Sequence, residues 1–381
     1  MQIDLPNFLL LASVAQAVVL SVFFLLPANI GQTSSRLLVV VLLSIAAGYA
    51  EFFFYGAGVT RRHPEIAYVG TLLSVLQPPA IYLYTQSLMY RGFELRPRHA
   101  LHLLPFLVAA AVFIFGYTLQ PEAEKARILA EQDLPGMPTS LLLALVIHGV
   151  FLAYLIRAVL ALRRFAARVK NLFSEVESKQ MSWLKLLLSG YAVVWAVSLA
   201  YCLAVYIFKN AAETRHVLLV AGVSGFLFIN VLILHALRQS ALFAGLTPEE
   251  AELIEPREEG SETALPTEEQ KARVERCMEA EQPFLNANLS INQLARQLGM
   301  SPRDLSFVIN RGFGQNFFDF VGDYRLRHAM QLLDQREEGR SVLEVMLASG
   351  FNSKSVFNTA FKAKTGLTPT QYRKRHSALA A

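Results

Sequence analysis

The sequence has little cysteine and little charge for its length. Its 381 residues include two cysteines and 17% charged residues, whereas soluble domains carry about 25% charged residues. Cys202 lies in an apolar run and Cys277 in a polar region, so the pair predicts neither a cysteine metal cluster nor a structural disulfide. The chain is 54% hydrophobic with a net charge of +5, and the apolar excess lies almost entirely before residue 238.

Motifs for catalysis and for nucleotide or metal chemistry are also missing. The sequence contains no HExxH, P-loop or GxGxxG motif, and no Lys or Arg precedes the first apolar run, which disfavours a cleaved signal peptide. Gly222–Gly225 (GVSG) resembles the serine motif of rhomboid intramembrane proteases. However, the next histidine, His235, lies about 16 Å further along the same predicted helix, and small residues at this spacing favour helix packing. We therefore predict no catalytic residues, metal ligands or cofactor.

Long apolar runs dominate the first 245 residues. A membrane-spanning helix needs about 20 predominantly apolar residues, and seven runs meet this length: Phe8–Leu26, Leu37–Tyr55, Ile66–Met89, Leu101–Leu119, Ser140–Leu162, Trp183–Phe208 and Val217–Leu237. The pair Pro78-Pro79 predicts a kink in the third run. Residues 1–245 are thus predicted to form a seven-helix transmembrane bundle, in contact with membrane lipid.

Basic residues in the short loops predict the orientation of this bundle. With the C-terminus inside, the inner loops carry ten Lys and Arg residues and the outer loops six, which follows the tendency of cytoplasmic loops to be basic. The sequence therefore predicts a multi-pass protein of the cytoplasmic (inner) membrane, with the N-terminus outside and the C-terminal domain in the cytoplasm.

Several polar residues lie within the predicted spans. Polar and ionisable groups at membrane depth are costly, and they face the bundle interior or a wet cavity. Each is either a signal-sensing residue for an unknown signal or ligand or part of an interhelical hydrogen bond. The signal-sensing candidates are Glu51, His102, His148 and Asn230.

An acidic segment follows the predicted bundle. Residues 246–270 hold nine glutamates, one arginine and three prolines, a composition that cannot bury a core. As a flexible coil, about 25 residues span roughly 25–30 Å. We interpret this segment as a solvated linker, which proteolysis could also cut to release the domain that follows.

Residues 271–381 contain the pattern of a helix-turn-helix twice. In the first copy, Ser290 and Gln293 form a capping-box signature, Gly299 ends the first helix, and Ser301-Pro302 starts the second. Leu305, Val308 and Ile309 are expected to point inward. The side chains left on the outer face include Arg303, Ser306, Phe307 and Asn310.

The second copy begins at Ser341, which forms a capping-box signature with Glu344. Gly350 marks the turn, and Ser353 caps a helix whose Phe357 and Phe361 are expected in the core. Four pairs of positions in the two copies, such as Leu305 with Phe357, are 52 residues apart. Two recognition helices in one rigid domain can enter successive major grooves about 34 Å apart. From Phe284 onward the chain has thirteen basic and seven acidic residues, a balance suited to phosphate contact.

Three stretches carry a family resemblance: LARQLGMSPRDLSFVI (Leu294–Ile309), YRLRHAMQLL (Tyr324–Leu333) and ASGFNSKSVFNTAFKAKTGLTPTQYRK (Ala348–Lys374). The region from about Thr267 to His376 resembles the DNA-binding domain of AraC/XylS-type transcription regulators. The resemblance implies that the residues facing DNA are Pro302, Arg303, Ser306, Phe307 and Asn310 in the first recognition helix, and Ser353, Lys354, Ser355, Asn358, Thr359 and Lys362 in the second.

The chain departs from the family pattern at three points. Phe307 stands where the family often has a basic or polar residue, and Met346 stands where alanine is usual. The family's sugar-binding barrel is replaced by the apolar runs, so its ligands do not transfer to this chain.

The sequence as a whole predicts an all-α, membrane-tethered transcription regulator that binds double-stranded DNA and receives its input through the bundle. A homodimer is a further expected partner, as is RNA polymerase if the protein activates transcription. The alternative is a transporter or intramembrane enzyme whose helical C-terminal domain docks a protein partner.

Overall fold

The structure is a computed structural model that describes residues 5–26, 33–90, 92–131, 138–174, 179–208, 211–238, 265–334 and 340–379. These residues are predominantly helical, with an isolated bridge between Phe173 and Ser290 and no strand among them, which confirms the all-α prediction. The chain divides into two compact units: Met1–Leu162 with Trp183–Gly245, and Arg163–Ser182 with Leu246–Ala381. Residues 246–264 of the predicted linker lie outside the described residues.

The first unit consists mostly of apolar helices. Its helices are α1 (Leu5–Leu25), α2 (Thr33–Gly56), α3 (Val59–Arg62), α4 (Val69–Ser74), α5 (Gln77–Met89), α6 (Leu104–Phe113), α7 (Glu122–Glu131), α8 (Pro138–Val169), α9 (Lys179–Phe208) and α10 (Ala211–Arg238). Helices α3 and α7, which lie between the apolar helices, are polar. The last two turns of α8 and the start of α9 belong to the second unit.

Six helical stretches among the described residues have the length and composition to cross a membrane: Leu5–Leu25, Thr33–Gly56, Pro64–Met89, Pro97–Thr118, Ala144–Val169 and Ser182–Ala204. They correspond to the first six predicted spans. The seventh predicted span falls within α10, where the apolar stretch found is the shorter Leu219–Leu232. The seventh crossing therefore stays a prediction.

Small residues permit close helix contacts in the first unit. At Gly70 of α4, a β-carbon would lie 2.2 Å from the carbonyl oxygen of Ala47 in α2, and at Gly225 of α10 it would lie 2.5 Å from Cζ of Tyr49. A side chain at Gly70 would collide with the main chain of α2, so glycine is required there, whereas a side chain at Gly225 would require the Tyr49 ring to move. The third predicted span is broken between α4 and α5, where Pro78 and Pro79 occupy the first turn of α5.

The second unit contains α11 (Glu268–Ala280), α12 (Ile291–Gln297), α13 (Pro302–Phe307), α14 (Phe317–Asp334), α15 (Val342–Ala348), α16 (Lys354–Thr365) and α17 (Pro369–Leu379). Helix α14 joins two small cores, because Val321 is buried in its first half, while Ala329 and Leu333 pack with Phe357 and Phe361 of α16. Burying each of these phenylalanines contributes about 1.5–3 kcal/mol.

Candidate nucleic-acid interface

The first helix-turn-helix is formed by α12 and α13. Ser290 caps α12 through its hydroxyl, which accepts a hydrogen bond from the Gln293 amide at 3.3 Å, while the Gln293 side chain accepts one from the Ser290 amide at 3.0 Å. Gly299 follows in the left-handed conformation with φ of 58°, which allows the chain to turn sharply between the helices. The capping box and turn predicted from the sequence are therefore both present.

Helix α13 is the first recognition helix of the predicted interface. Leu305, Val308 and Ile309 are fully buried, so they fix its inner face. The helix widens into a π-helical turn at Val308–Gly312.

The other face of α13 is open and polar. Arg303 and Asn310 are exposed, and Pro302, Ser306 and Phe307 are half-buried. Asn310 Nδ2 donates to Ser306 Oγ at 3.1 Å, so these two candidate DNA-facing side chains form an ordered pair one turn apart.

The second helix-turn-helix repeats the arrangement with α15 and α16. The Ser341 hydroxyl accepts from the Glu344 amide at 3.1 Å, and Ser353 Oγ accepts from the Val356 amide at 3.4 Å. Phe357 and Phe361 are 1% and 0% exposed. On the outer side, Lys354, Ser355, Thr359 and Lys362 are exposed, while Ser353 and Asn358 are half-buried.

A groove lies beside α16. Lys354, Asn358 and Lys362 of α16 line it together with Val342 and Leu343 of α15. Leu343 is 55% exposed, although the capping pattern gave no reason to place it beside the candidate DNA-facing residues. The groove therefore offers both hydrogen-bonding and apolar groups, the mixture that base edges and thymine methyl groups require.

A charge contact connects α14 to α16. The Asp323 carboxylate lies 3.0 Å from Lys364 Nζ and accepts a hydrogen bond from Gln315 Nε2 at 2.8 Å. Burial acts to raise the pKa of Asp323, but these hydrogen bonds outweigh burial and hold the pKa below its usual value. The carboxylate is thus charged at neutral pH and holds the second recognition helix against the connecting helix.

Arg325 in α14 is a buried, hydrogen-bonded arginine for which the sequence predicted no role. Its side chain is 1% exposed, and its Nε donates to the Phe284 carbonyl oxygen at 2.8 Å. Its guanidinium carbon also lies 5.8 Å from the ring centre of Phe351, in the turn of the second helix-turn-helix. Helical spacing does contain the signal, because Val321, Arg325 and Ala329 share one buried stripe of α14.

The four signal-sensing candidates of the first unit have separate surroundings. Glu51 accepts hydrogen bonds from the amide and the hydroxyl of Thr71, the latter at 2.9 Å. His102 Nδ1 lies 2.9 Å from the Tyr154 hydroxyl. Both side chains therefore make hydrogen bonds between different helices, and their role in signal sensing stays a prediction.

The other two candidates differ in whether their polar atoms are satisfied. Asn230 Nδ2 donates to the Phe226 carbonyl at 2.8 Å and to Gln16 at 3.4 Å. His148 Nδ1 is buried and has no hydrogen-bond partner among the described residues.

The Ser224 hydroxyl of the GVSG motif donates to the Ala221 carbonyl of its own helix at 2.9 Å. No group of three or more metal-ligating side chains occurs in the described parts of the chain.

Comparison with known proteins identifies the family of the C-terminal domain. Residues 294–375 match the family described as a helix-turn-helix domain. The HTH-type transcriptional regulator GlxA of Rhizobium meliloti is 39% identical over 82 residues, which are 22% of this chain and 25% of that protein. The uncharacterized transcriptional regulatory protein YesN of Bacillus subtilis is 34% identical over 98 residues, 25% of this chain and 26% of its own length. No solved structure matches.

These relatives extend well beyond the matched region. The chain spans about a quarter of the length of each, so the similarity identifies one domain of the chain. The resemblance found in the sequence is confirmed for that domain. Residues 294–375 form a helix-turn-helix domain of the AraC type, of the kind found in HTH-type transcriptional regulators.

Proposed function

We propose that this protein is a membrane-anchored transcription regulator that binds specific DNA sequences through two recognition helices and receives its input through the apolar helices. The observation that carries the proposal is the repeated helix-turn-helix, whose second helices, α13 and α16, each expose polar side chains and are joined through α14. Arg303 on α13 and Lys354 on α16 both lie in the first turn of their helices, and both are exposed. Two such helices can read successive major grooves on one side of B-DNA.

Specific roles follow from the side-chain chemistry. Arginine and lysine pair with guanine O6 and N7, asparagine pairs with adenine, and an apolar side chain contacts the thymine methyl group. Arg303 and Lys354 are therefore assigned to guanine or phosphate, Asn310 and Asn358 to adenine, and Phe307 to thymine. The remaining candidates are assigned to contacts with the sugar-phosphate backbone of the DNA, which fix the position of the domain along the duplex. They are Pro302, Ser306, Ser353, Ser355, Thr359 and Lys362.

The membrane assignment is supported by the outer surface of the apolar helices. Val19 is 69% exposed and Phe115 is 70% exposed, and surfaces of this kind are covered by lipid in membrane proteins. The DNA-binding domain requires a cytoplasmic C-terminus, and an outside N-terminus then requires the seventh crossing through α10. Fusions of a periplasm-active and a cytoplasm-active reporter to each end test this topology, since six crossings would place both ends on one side.

The DNA assignment is tested with the full chain in lipid nanodiscs on sites taken from a genome-wide binding map. We expect steep salt dependence, because counterions are released from DNA on binding. Arg303→Ala and Lys354→Ala should each cost about 1–3 kcal/mol where the side chain contacts a base, or lower the salt slope by about 1 where it contacts phosphate. Arg276→Ala removes one positive charge from α11, outside both helix-turn-helix copies, and serves as the matched control.

Two results would overturn the assignment. Footprints that are the same for Arg303→Ala, Lys354→Ala and the control would exclude α13 and α16 as recognition helices. Binding that is absent or insensitive to salt would favour a domain that docks a protein partner.

Glu51, His102, His148 and Asn230 remain the proposed input residues. Substitutions at these positions should change regulation in cells without changing the DNA affinity of the solubilised chain at saturating signal.

A further inference from the structure

A short segment from the connection between α8 and α9 is bound to the helix-turn-helix domain. Residues Lys170–Ser174 belong to the same compact unit as that domain. The Ser174 amide donates to the Leu289 carbonyl at 3.1 Å, and the Ile291 amide donates to the Leu172 carbonyl at 2.9 Å, so the segment pairs with the chain as a short antiparallel bridge. Leu172 is 2% exposed and Ser174 is 3% exposed.

The segment also satisfies helix ends. Ile291 is the first residue of α12, and Phe318, the second residue of α14, donates its amide hydrogen to the Lys170 carbonyl at 2.9 Å. The first amides of a helix have no partner within the helix. Lys170 Nζ also lies 5.6 Å from the ring centre of Phe318. Carbonyl groups of the segment therefore complete two helices of the DNA-binding domain.

Arg325 ties the segment to both helix-turn-helix copies. Its Nη1 donates to the Ser174 carbonyl at 3.0 Å and its Nη2 to the Ser174 hydroxyl at 2.9 Å. Its other acceptors are carbonyls of the chain before α12, those of Phe284, Asn286 and Ala287. Because Arg325 also packs on the turn of the second copy, Ser174 supplies two acceptors at the junction between the copies.

We propose that residues Lys170–Ser174 are a structural component of the DNA-binding domain and that Ser174 fixes the relative position of its two helix-turn-helix copies through Arg325. Ser174 is thus a positioning residue that does not itself contact DNA. A movement of α8 that withdraws the segment would leave a buried guanidinium short of acceptors, loosen the junction and weaken DNA binding. That consequence rests on the proposed function, whereas the docking of the segment does not.

Hydrogen–deuterium exchange of the full chain in lipid nanodiscs tests the docking without DNA. Ser174→Pro removes both the amide donor and the hydroxyl. We expect it to raise the exchange rates of the Ile291 and Phe318 amides by about 5–150-fold, the range for exposing a buried hydrogen-bonded group. Ser182→Ala, at an exposed serine in the first turn of α9, should leave both rates unchanged. Rapid exchange in the unmodified chain, or no response to Ser174→Pro, would overturn the docking.

A second measurement tests the link to DNA and covers the case in which Ser174→Pro does not fold. Ser174→Ala keeps the backbone contacts and removes one acceptor of Arg325, so DNA affinity should fall at least about fivefold, with Ser182→Ala unchanged. Equal affinity for Ser174→Ala and the unmodified chain would overturn the positioning role of Ser174. Failure of the unmodified chain to bind any DNA would instead overturn the proposed function, and the exchange result would stand by itself.

Discussion

Replacing Gly350 by alanine should destabilise the DNA-binding domain more than the same replacement at Gly299, the turn glycine of the first copy. Gly350 has φ of 82°, a left-handed conformation that costs an L-residue about 1–2 kcal/mol. A β-carbon there would also lie 2.3 Å from the Phe284 carbonyl oxygen and 3.1 Å from Arg325 Nε. These two atoms form the 2.8 Å hydrogen bond that anchors Arg325, so the methyl group must displace it.

The expected magnitude follows from adding the two effects. Leaving a buried donor or acceptor unsatisfied costs about 1–3 kcal/mol, which gives a total loss of about 2–5 kcal/mol for Gly350→Ala. Gly299→Ala is the matched control, because Gly299 occupies the turn of the first copy with φ of 58° but would place its β-carbon in ordinary contact, 3.4 Å from Arg273. The control should lose only about 1–2 kcal/mol.

The assay for this prediction is pulse proteolysis in urea of the full chain in lipid nanodiscs, which follows cleavage of the C-terminal domain. The midpoint for Gly350→Ala should lie well below that for Gly299→Ala. Equal midpoints would refute the reasoning, since they would mean that the contact with Phe284 and Arg325 adds nothing to the strain of the turn.

Three further perturbations test the second helix-turn-helix copy and the buried face of α11. Ser341→Ala removes the N-cap of α15 and should lower the free energy of unfolding by about 1 kcal/mol in the same assay, with Ser355→Ala, at an exposed position of α16, unchanged. The backbone hydrogen bond from Ser341 holds the pKa of Glu344 below its usual value. The stability that the Glu344 carboxylate contributes should therefore be complete above about pH 5 and be lost as the pH falls through the lowered pKa. A series of melting curves in which Glu344→Gln keeps the full acid sensitivity of the unmodified chain would contradict this. Burial, followed by the charge of Glu281, raises the pKa of the Cys277 thiol, and the residue is 7% exposed; maleimide should therefore label it far more slowly in the native chain than in denaturant.

The helix-turn-helix geometry could be predicted because its signals are local. A cap such as Ser290 and a left-handed turn at Gly299 are determined by neighbouring residues, so their spacing gives the helix boundaries directly. The inward positions Leu305 and Phe357 follow from helical period in the same way. The assignment of individual side chains to DNA remains a prediction, because it depends on a partner that the chain alone does not contain.

The contacts of the Lys170–Ser174 segment could not be predicted from the sequence, because they join residues far apart in the chain. Ser174 and Arg325 are separated by 151 positions, and most bonds involve main-chain carbonyls, which every residue type carries. The apolar helices, in contrast, could be predicted from hydropathy, since six of the seven predicted spans correspond to described helical stretches of membrane-crossing length.

The position of Ser174 also bears on the role of the acidic linker. If residues 246–270 were the sole attachment, the DNA-binding domain could occupy any position within roughly 25–30 Å, and proteolysis in the linker would release a complete domain. With Ser174 supplying acceptors to Arg325, a fragment cut in the linker would lack part of its own junction. If Ser174 has this role, the uncut chain should bind DNA more tightly than the fragment released by a cut in the linker. If the linker is the sole attachment, the released fragment should keep the full DNA affinity.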